Sequence, residues 1–359
     1  MESNKRYMNV DIMKGILILS VVLGHSQSPG YRFIYLFHMS VFFMISGYLW
    51  NDKYVENKKN LLNMVKRKVH SLYRPFVLCN LFFLFLSIIM PKLFWHDYET
   101  GAGAITYLIK NIIKIFLLRG RTILSDTTWF LSVLFFISII YGVLLYVGRK
   151  IKNQILLRIL ISFTALVIGG IFSYYKFNVW EIGTMFSSLS VFSFGNIIKM
   201  KEKQQARKNV SILVALLSFV GLLILLLINK QEIRLIENQY PNIFYFGIAA
   251  ILGYIFIKQC SLLLIKNNFL KKMFIVLGKK SLYIMCIHMF AFKLVILVQS
   301  IVYKQSGDIL SMYPTYDSSL GWWMVYTFVG VVVPLLYVFL YKKVRILLFD
   351  GVWNNEAKC

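Results

Sequence analysis

The chain has 359 residues, 58% hydrophobic and 16% aromatic, with 40 Lys and Arg against 15 Asp and Glu for a formal net charge of +25. A mean hydropathy of +0.66 excludes an ordinary soluble enzyme and a disordered chain, and points to a polytopic membrane protein. The basic excess does not call for nucleic acid: inward-facing loops of membrane proteins concentrate Lys and Arg, and such a surface attracts anionic lipid or a polyanionic ligand such as a nucleotide.

Ten apolar runs, each long enough to cross a hydrocarbon core of about 30 Å as a helix, are predicted near 9–27, 33–50, 75–91, 128–148, 155–175, 179–198, 210–229, 242–259, 281–303 and 322–341. Placing the N-terminus in the cytoplasm puts most of the 40 cationic side chains in inner segments, among them Lys53 to Arg74, Lys199 to Lys208 and Lys258 to Lys280. The expected fold is an all-α polytopic bundle of about ten transmembrane helices with both termini cytoplasmic. It forms one membrane-embedded domain over 1–359, with no soluble domain.

The first run carries Asp11, Lys14 and His25. Ionisable groups in hydrocarbon cost several kcal/mol and usually line a protein interior or a wet cavity. At 100° per residue Lys14 and His25 lie only about 20° apart around the helix, and Asp11 falls within about 60° of both. The three share a face. Along the axis Lys14 and His25 are about 16 Å apart, so they grip opposite ends of an elongated ligand rather than each other. Asp11 and Lys14, three residues apart, also have the spacing of a plain ion pair at the inner interface. This run is too long and apolar for a removable signal peptide and is expected to remain.

A short outward turn leads to His38 in the second run, at a depth similar to His25, so the two imidazoles read as a catalytic or proton-handling pair. Ser46 and Gly47 further on suit close helix packing. The inner segment beyond holds Lys66, Arg67 and Lys68 and runs into Arg74. Between the third and fourth runs, Ala104 to Leu118 is too short to cross and carries Lys110 and Lys114. It is read as an interfacial or re-entrant helix on the outer side, with a plain surface helix as the simpler alternative.

Asp126, Thr127, Thr128 and Trp129 stand at the outer entrance of the fourth run, and Glu181 at that of the sixth. His288 and Lys293 in the ninth run are about 140° apart and so face different ways. Lys293 calls for snorkelling or an acidic partner. Residues Lys304 to Gly321, with Tyr313 and Pro314, are long enough to roof a cavity, and the remaining outer connections are tight. Cys79, Cys260, Cys286 and Cys359 have no metal-ligand spacing, and no metal site is expected. Gly-x-Ser-x-Gly, His-Glu-x-x-His and phosphate-cradling glycine motifs are missing.

Between Arg6 and Trp50 the chain resembles the acyltransferase 3 family of integral membrane O-acyltransferases, especially its fucose 4-O-acetylase-like members. The pattern is Asp11, Lys14, Gly15, Gly24 and His25, followed by Phe37-His38-Met39 and Phe42-Phe43-Met44-Ile45-Ser46-Gly47-Tyr48-Leu49. Arg74-Pro75-Phe76, Thr128-Trp129-Phe130-Leu131 and Ser281-Leu282-Tyr283 with His288 also fit. Two departures stand out. Many members have Arg where this chain has Lys14, which keeps the charge but loses a bidentate fork. Their pair of arginines three apart is here Arg67 and His70.

The resemblance implies a multi-pass enzyme of a bacterial cytoplasmic membrane that moves an acetyl group from acetyl-CoA, without a metal, to a hydroxyl of a cell-surface polysaccharide or lipid-linked glycan precursor. The family's additional esterase-like domain is not expected. His25 is then the catalytic base or acyl carrier, His38 the second polar group and Asp11 the residue orienting Lys14. Lys14, Lys66, Arg67 and Lys68 are implied in binding the CoA phosphates, and Arg74, Trp129 and His288 complete the binding set. The alternatives from the residues alone are a glycan precursor transporter or flippase, and a polysaccharide polymerase. Nucleic acid is not an expected partner.

Overall fold

The structure is a computed structural model and describes residues 2–90, 103–204, 211–305 and 307–345. The described residues form helices α1 (Glu2–His25), α2 (Tyr31–Tyr35), α3 (His38–Tyr48), α4 (Lys58–Lys68), α5 (Arg74–Ile89), α6 (Gly103–Phe116), α7 (Trp129–Val147), α8 (Gln154–Tyr174), α9 (Ile182–Gln204), α10 (Ile212–Ile228), α11 (Ile243–Leu264), α12 (Asn268–Lys279), α13 (Ser281–Val302) and α14 (Trp322–Arg345). The only β-type pairing among them is an isolated antiparallel bridge between Arg234 and Gln239. A helix lies on each of the ten apolar runs. Among the described residues, seven helical stretches are long and apolar enough to cross a membrane: Met8–His25, Lys58–Ile89, Ile123–Lys150, Gln154–Tyr174, Ile243–Leu264, Ser281–Val302 and Trp322–Tyr341. Helix α3, at 11 residues, falls short, because the chain breaks at Leu36-Phe37 and restarts at His38.

Two glycine crossings set the frame around α1 and α3. A Cβ on Gly15 would strike the carbonyl of Phe274, and one on Gly278 the carbonyl of Asp11, so α1 and α12 touch backbone to backbone. Gly47 and Gly195 do the same for α3 and α9, against the carbonyls of Phe192 and Met44. Lipid gives no hydrophobic drive to helix pairing, so such close approach supplies the dispersion that holds helices together. The packing role expected of Gly47 is what the structure contains.

Helix α4 passes through a π turn, Val69–Tyr73, straight into α5. Pro75 has no N–H to give the preceding turn, and the wider turn accommodates the missing bond. At the end of α4 Lys66 and Arg67 are exposed and Lys68 half-buried.

One expectation is narrowed to one of its alternatives and one is corrected. Helix α6 does not lie flat: it packs back along α5, and the Tyr73 hydroxyl, at the start of α5, donates to the Phe116 carbonyl at the end of α6 at 2.9 Å. The helix therefore descends beside α5, and the chain climbs again through Arg121 and Thr122 to a 3-10 turn at Ile123–Thr128 before α7. The connection between α10 and α11 is not tight either. Its residues Glu232 to Glu237 fold inward and line the main cavity. Pro91, expected to precede α6, lies outside the described residues, as does Cys359.

Candidate active site

A cavity of about 630 Å³ opens at the end of the bundle opposite the basic α4 and α12. Gly24 and His25 from the end of α1, Tyr35 from α2, and His38, Met39 and Ser40 from the start of α3 form one wall. Asp126, Thr127 and Trp129 form a second, Glu232 to Glu237 a third, and Tyr313 and Pro314 a cover. The volume suits a ligand the size of one or two sugar rings.

The histidines lie well below the rim. Asn80 in α5 donates to Thr128 Oγ1 at 2.9 Å and accepts from Ser125 Oγ at 2.7 Å, which pins the turn before α7 at this depth. From Asn80 to Ile89 helix α5 rises about 13 Å further, and from His288 to Val302 helix α13 rises about 21 Å, at 1.5 Å per residue. The chemistry-bearing layer is thus sunk inside the bundle, below the outer ends of α5 and α13.

His38 is 5% exposed, and its Nδ1 lies 2.8 Å from the carbonyl oxygen of Ile34. Only an N–H serves a carbonyl, so Nδ1 carries the proton and Nε2 of the neutral ring presents a lone pair. Tyr35 stacks edge-on against both histidines, with centroids 5.1 Å from His38 and 6.4 Å from His25. Behind His25, and outside the cavity lining, stands His288, its ring centroid 5.4 Å away. The expected His25 and His38 pair is therefore brought together, and His288 joins it as a third member.

Trp129 is buried against Phe43 and lines the cavity. Asp126 and Glu181 both hold the guanidinium of Arg121, with 3.1 Å between Asp126 and Arg121 Nε, and Ser132 Oγ donates to Glu181. Glu181 therefore supports this wall through Arg121. Lys293 has no acidic partner among the described residues; its Nζ donates to the carbonyls of Leu310 and Met312, each at 2.8 Å. That tether holds the segment whose next residues, Tyr313 and Pro314, cover the cavity. His288 and Lys293 face different ways, as their spacing requires.

The remaining expected site residues lie at the other end of α1. Lys14 feels both the attraction of Asp11 and the repulsion of Lys68 from the end of α4, so two half-buried ammonium groups share this end of the bundle. Asp11 forms no ion pair with Lys14 among the described residues, and its carbonyl packs on Gly278. It is about 21 Å along α1 from His25 and does not reach the histidine layer. Lys66, Arg67 and Arg74 are exposed at the same end.

Among the polar cavity residues that escaped the sequence reading are Tyr31, Tyr35, Glu232, Arg234 and Glu237. Glu232 and Glu237 pair with Arg234 at 3.6 and 3.5 Å, and Glu232 also approaches Arg32 at 3.9 Å. Burial and a hydrogen bond to Glu232 raise the phenol of Tyr31 above its ordinary value. Burial, together with the nearby charge of Asp126, raises that of Tyr313. Both phenols are protonated donors at neutral pH. The available signal was the run of charges at Lys230, Glu232, Arg234 and Glu237, dense for a short connection.

Nodulation protein NolL of Mesorhizobium japonicum is 27% identical over 161 residues, 41% of this chain and 38% of that protein. Nodulation protein NolL of Sinorhizobium fredii is 43% identical over 60 residues, 13% of this chain and 16% of that protein. The chain thus spans well under half the length of these relatives. No solved structure matches it. The family model described as an acyltransferase domain matches residues 8–342, nearly the whole length, and the chain belongs to the acyltransferase 3 family.

Proposed function

We propose that this protein is a membrane O-acetyltransferase that moves acetyl from acetyl-CoA to a hydroxyl of a cell-surface polysaccharide or lipid-linked glycan precursor. It works with ten membrane crossings and both termini in the cytoplasm of a bacterium. The observation that carries the reading is one helix, α1, with an ammonium cluster of Lys14 and Lys68 at one end and a histidine layer under a wide cavity at the other. The two ends are about 16 Å apart, a span suited to the long flexible arm of CoA.

The diphosphate and 3′-phosphate of CoA meet Lys14 and Lys68 from the basic face, with Lys66, Arg67 and Arg74 around them. Asp11 tempers the mutual repulsion of the two half-buried ammonium groups. The thioester reaches the histidine layer from below, and the acceptor enters from the cavity above, its ring against Trp129 and its hydroxyls toward the carboxylates and phenols of the walls. A sugar hydroxyl is almost wholly un-ionised at neutral pH, so attack needs a base with an available lone pair. His25 takes the hydroxyl proton as the oxygen bonds to the thioester carbon; the C–S bond breaks, and the proton passes to the CoA sulfur. His38, with Nε2 free, orients the acceptor hydroxyl or relays the proton. Anionic lipid at the basic face concentrates around the same cationic helices without taking part in the chemistry.

The test is CoA thiol release by the purified protein in vesicles, supplied with acetyl-CoA and with surface glycan extracted from a strain lacking the protein. Release stimulated by the glycan, with base-labile acetyl recovered on it, is the expected result. Movement of glycan between leaflets with no thiol release would replace the reading with transport.

A further inference from the structure

His288 is fully buried in α13, and the reaction described above makes no use of it. Its Nδ1 lies 2.9 Å from the carbonyl oxygen of Ile284 and 3.0 Å from that of Met285. The Met285 carbonyl is itself fixed, since Thr127 of the cavity wall donates to it at 2.8 Å. Nδ1 is therefore the N–H, and Nε2 of the neutral ring is an acceptor and nothing else. That Nε2 is buried and has no hydrogen-bond partner. A buried acceptor left without a donor is costly, so its persistence asks for an explanation. Two rings stand against it: Phe292, which offers no donor, and His25, with its centroid 5.4 Å away and its plane tilted by 41°.

We infer that His288 is a positioning residue for His25: Nε2 of His288 accepts a hydrogen bond from one ring nitrogen of His25 and so fixes the other as the lone pair that faces the cavity. The structure holds no bond across this gap; ring nitrogens lie about 1.1 Å from their centroid, so a turn of the His25 ring that points one of its nitrogens at Nε2 closes the separation to about 3.2 Å, within reach of N–H···N bonding. The inference rests on the reading of His25 as the reacting base. It adds what that reading lacks, a reason why His25, which ends its helix and has no backbone carbonyl lock like that of His38, holds one tautomer. A base in the wrong tautomer presents an N–H where the hydroxyl proton has to go, and the reaction stops. The carbonyls of Ile284 and Met285 orient His288, and His288 orients His25, as outer-shell partners do for metal-bound histidines.

The experiment is ¹⁵N NMR of the full chain labelled only at histidine, five residues in all, in detergent micelles or nanodiscs. Assignment comes from His25→Gln and His70→Gln variants. In the unsubstituted protein the His288 Nε2 resonance should be displaced from the value of a bare imidazole nitrogen, and His25 should show one tautomer. His288→Phe keeps the ring volume and removes the acceptor, and His25 should then average between tautomers. His288→Gln restores an oxygen acceptor near the Nε2 position and should restore the single tautomer. In the acetyl-transfer assay His288→Phe should lower kcat about 10- to 100-fold with the KM for acetyl-CoA unchanged. His288→Gln should recover most of the loss.

A bare Nε2 signal in the unsubstituted protein, or a His25 tautomer indifferent to His288→Phe, would overturn the inference. The first of these needs no variant, so it decides the matter even if His288→Phe fails to fold. The tautomer readout is independent of turnover. A protein with no transferase activity but with a locked His25 would thus sink the proposed reaction while leaving this hydrogen bond in place, and the reverse result would do the opposite.

Discussion

Two histidines on one cavity wall do different work because their backbones treat them differently. His38 opens α3 and spends Nδ1 on the Ile34 carbonyl, whereas His25 closes α1 with no such tie. General acid–base groups contribute about 10²- to 10⁴-fold, so His25→Ala should lower acetyl transfer by at least about 100-fold without changing insertion in the membrane. Retained turnover in that variant, measured on purified protein, would take His25 out of the mechanism. At the other end of α1, Lys14→Ala should raise the KM for acetyl-CoA with little change in kcat, since it removes binding rather than chemistry. An effect confined to the glycan acceptor would contradict its assignment to the phosphates. These residues were legible in the sequence because helical spacing puts Asp11, Lys14 and His25 on one face. Tyr35 and Arg234 were not, because their place in the cavity depends on where two separate connections fold, and no local period encodes that. Tyr313, by contrast, was legible as part of a connection long enough to roof a cavity.

At the level of elements, the cavity stands on two backbone crossings and one tether. Gly47→Val places a branched side chain against the Phe192 carbonyl, where neither helix has room to give. Overpacking of this kind costs about 1–3 kcal/mol, so the variant should unfold at lower temperature in detergent and lose activity as α3 carries His38 out of register. Gly247 is the internal control. A Cβ there meets open space, and Gly247→Ala near the start of α11 should be neutral or stabilising by up to about 1 kcal/mol. Equal thermal losses in the two variants would mean that the glycine contact does not organise α3. Lys293→Met removes the tether to Leu310 and Met312 while keeping length and apolarity. The segment carrying Tyr313 should loosen, and the acceptor KM should rise several-fold with the donor KM unchanged. The sequence identified Lys293 as an ionisable group inside a span but not its partners, because backbone carbonyls of a distant loop leave no mark in composition. Helix α6 was open between lying and descending for a related reason. Its length and amphipathic pattern fit both, and the bond from Tyr73 to Phe116 selects descent.

The whole molecule has two unlike ends, a basic one at α4 and α12 and a cavity-bearing one at the opposite side. Positive charge stays cytoplasmic, so the proposed orientation puts the cavity outside the cell. A single cysteine replacing Gln231, in a chain whose four native cysteines are changed to Ser, should react with a membrane-impermeant maleimide on intact cells. One replacing Arg67 should react only after lysis, and the opposite pattern would invert the topology. The all-helical membrane class was readable from apolar runs alone, since only helices and closed barrels satisfy the backbone in lipid. The depth of the histidine layer was not, because it follows from α1 ending at His25 while α5 and α13 continue beyond it. A site sunk at that level lets a donor from one side meet an acceptor from the other.

If the histidine layer completes acetyl transfer to a glycan hydroxyl, proton NMR should distinguish the surface glycan of a producing strain from that of the same strain carrying His25→Ala. O-acetyl methyl signals that vanish on mild base treatment are expected in the parent glycan and should be missing from the variant, with the amount of glycan unchanged. Identical acetyl signals in both strains, or loss of the glycan itself, would contradict that role for the histidine layer.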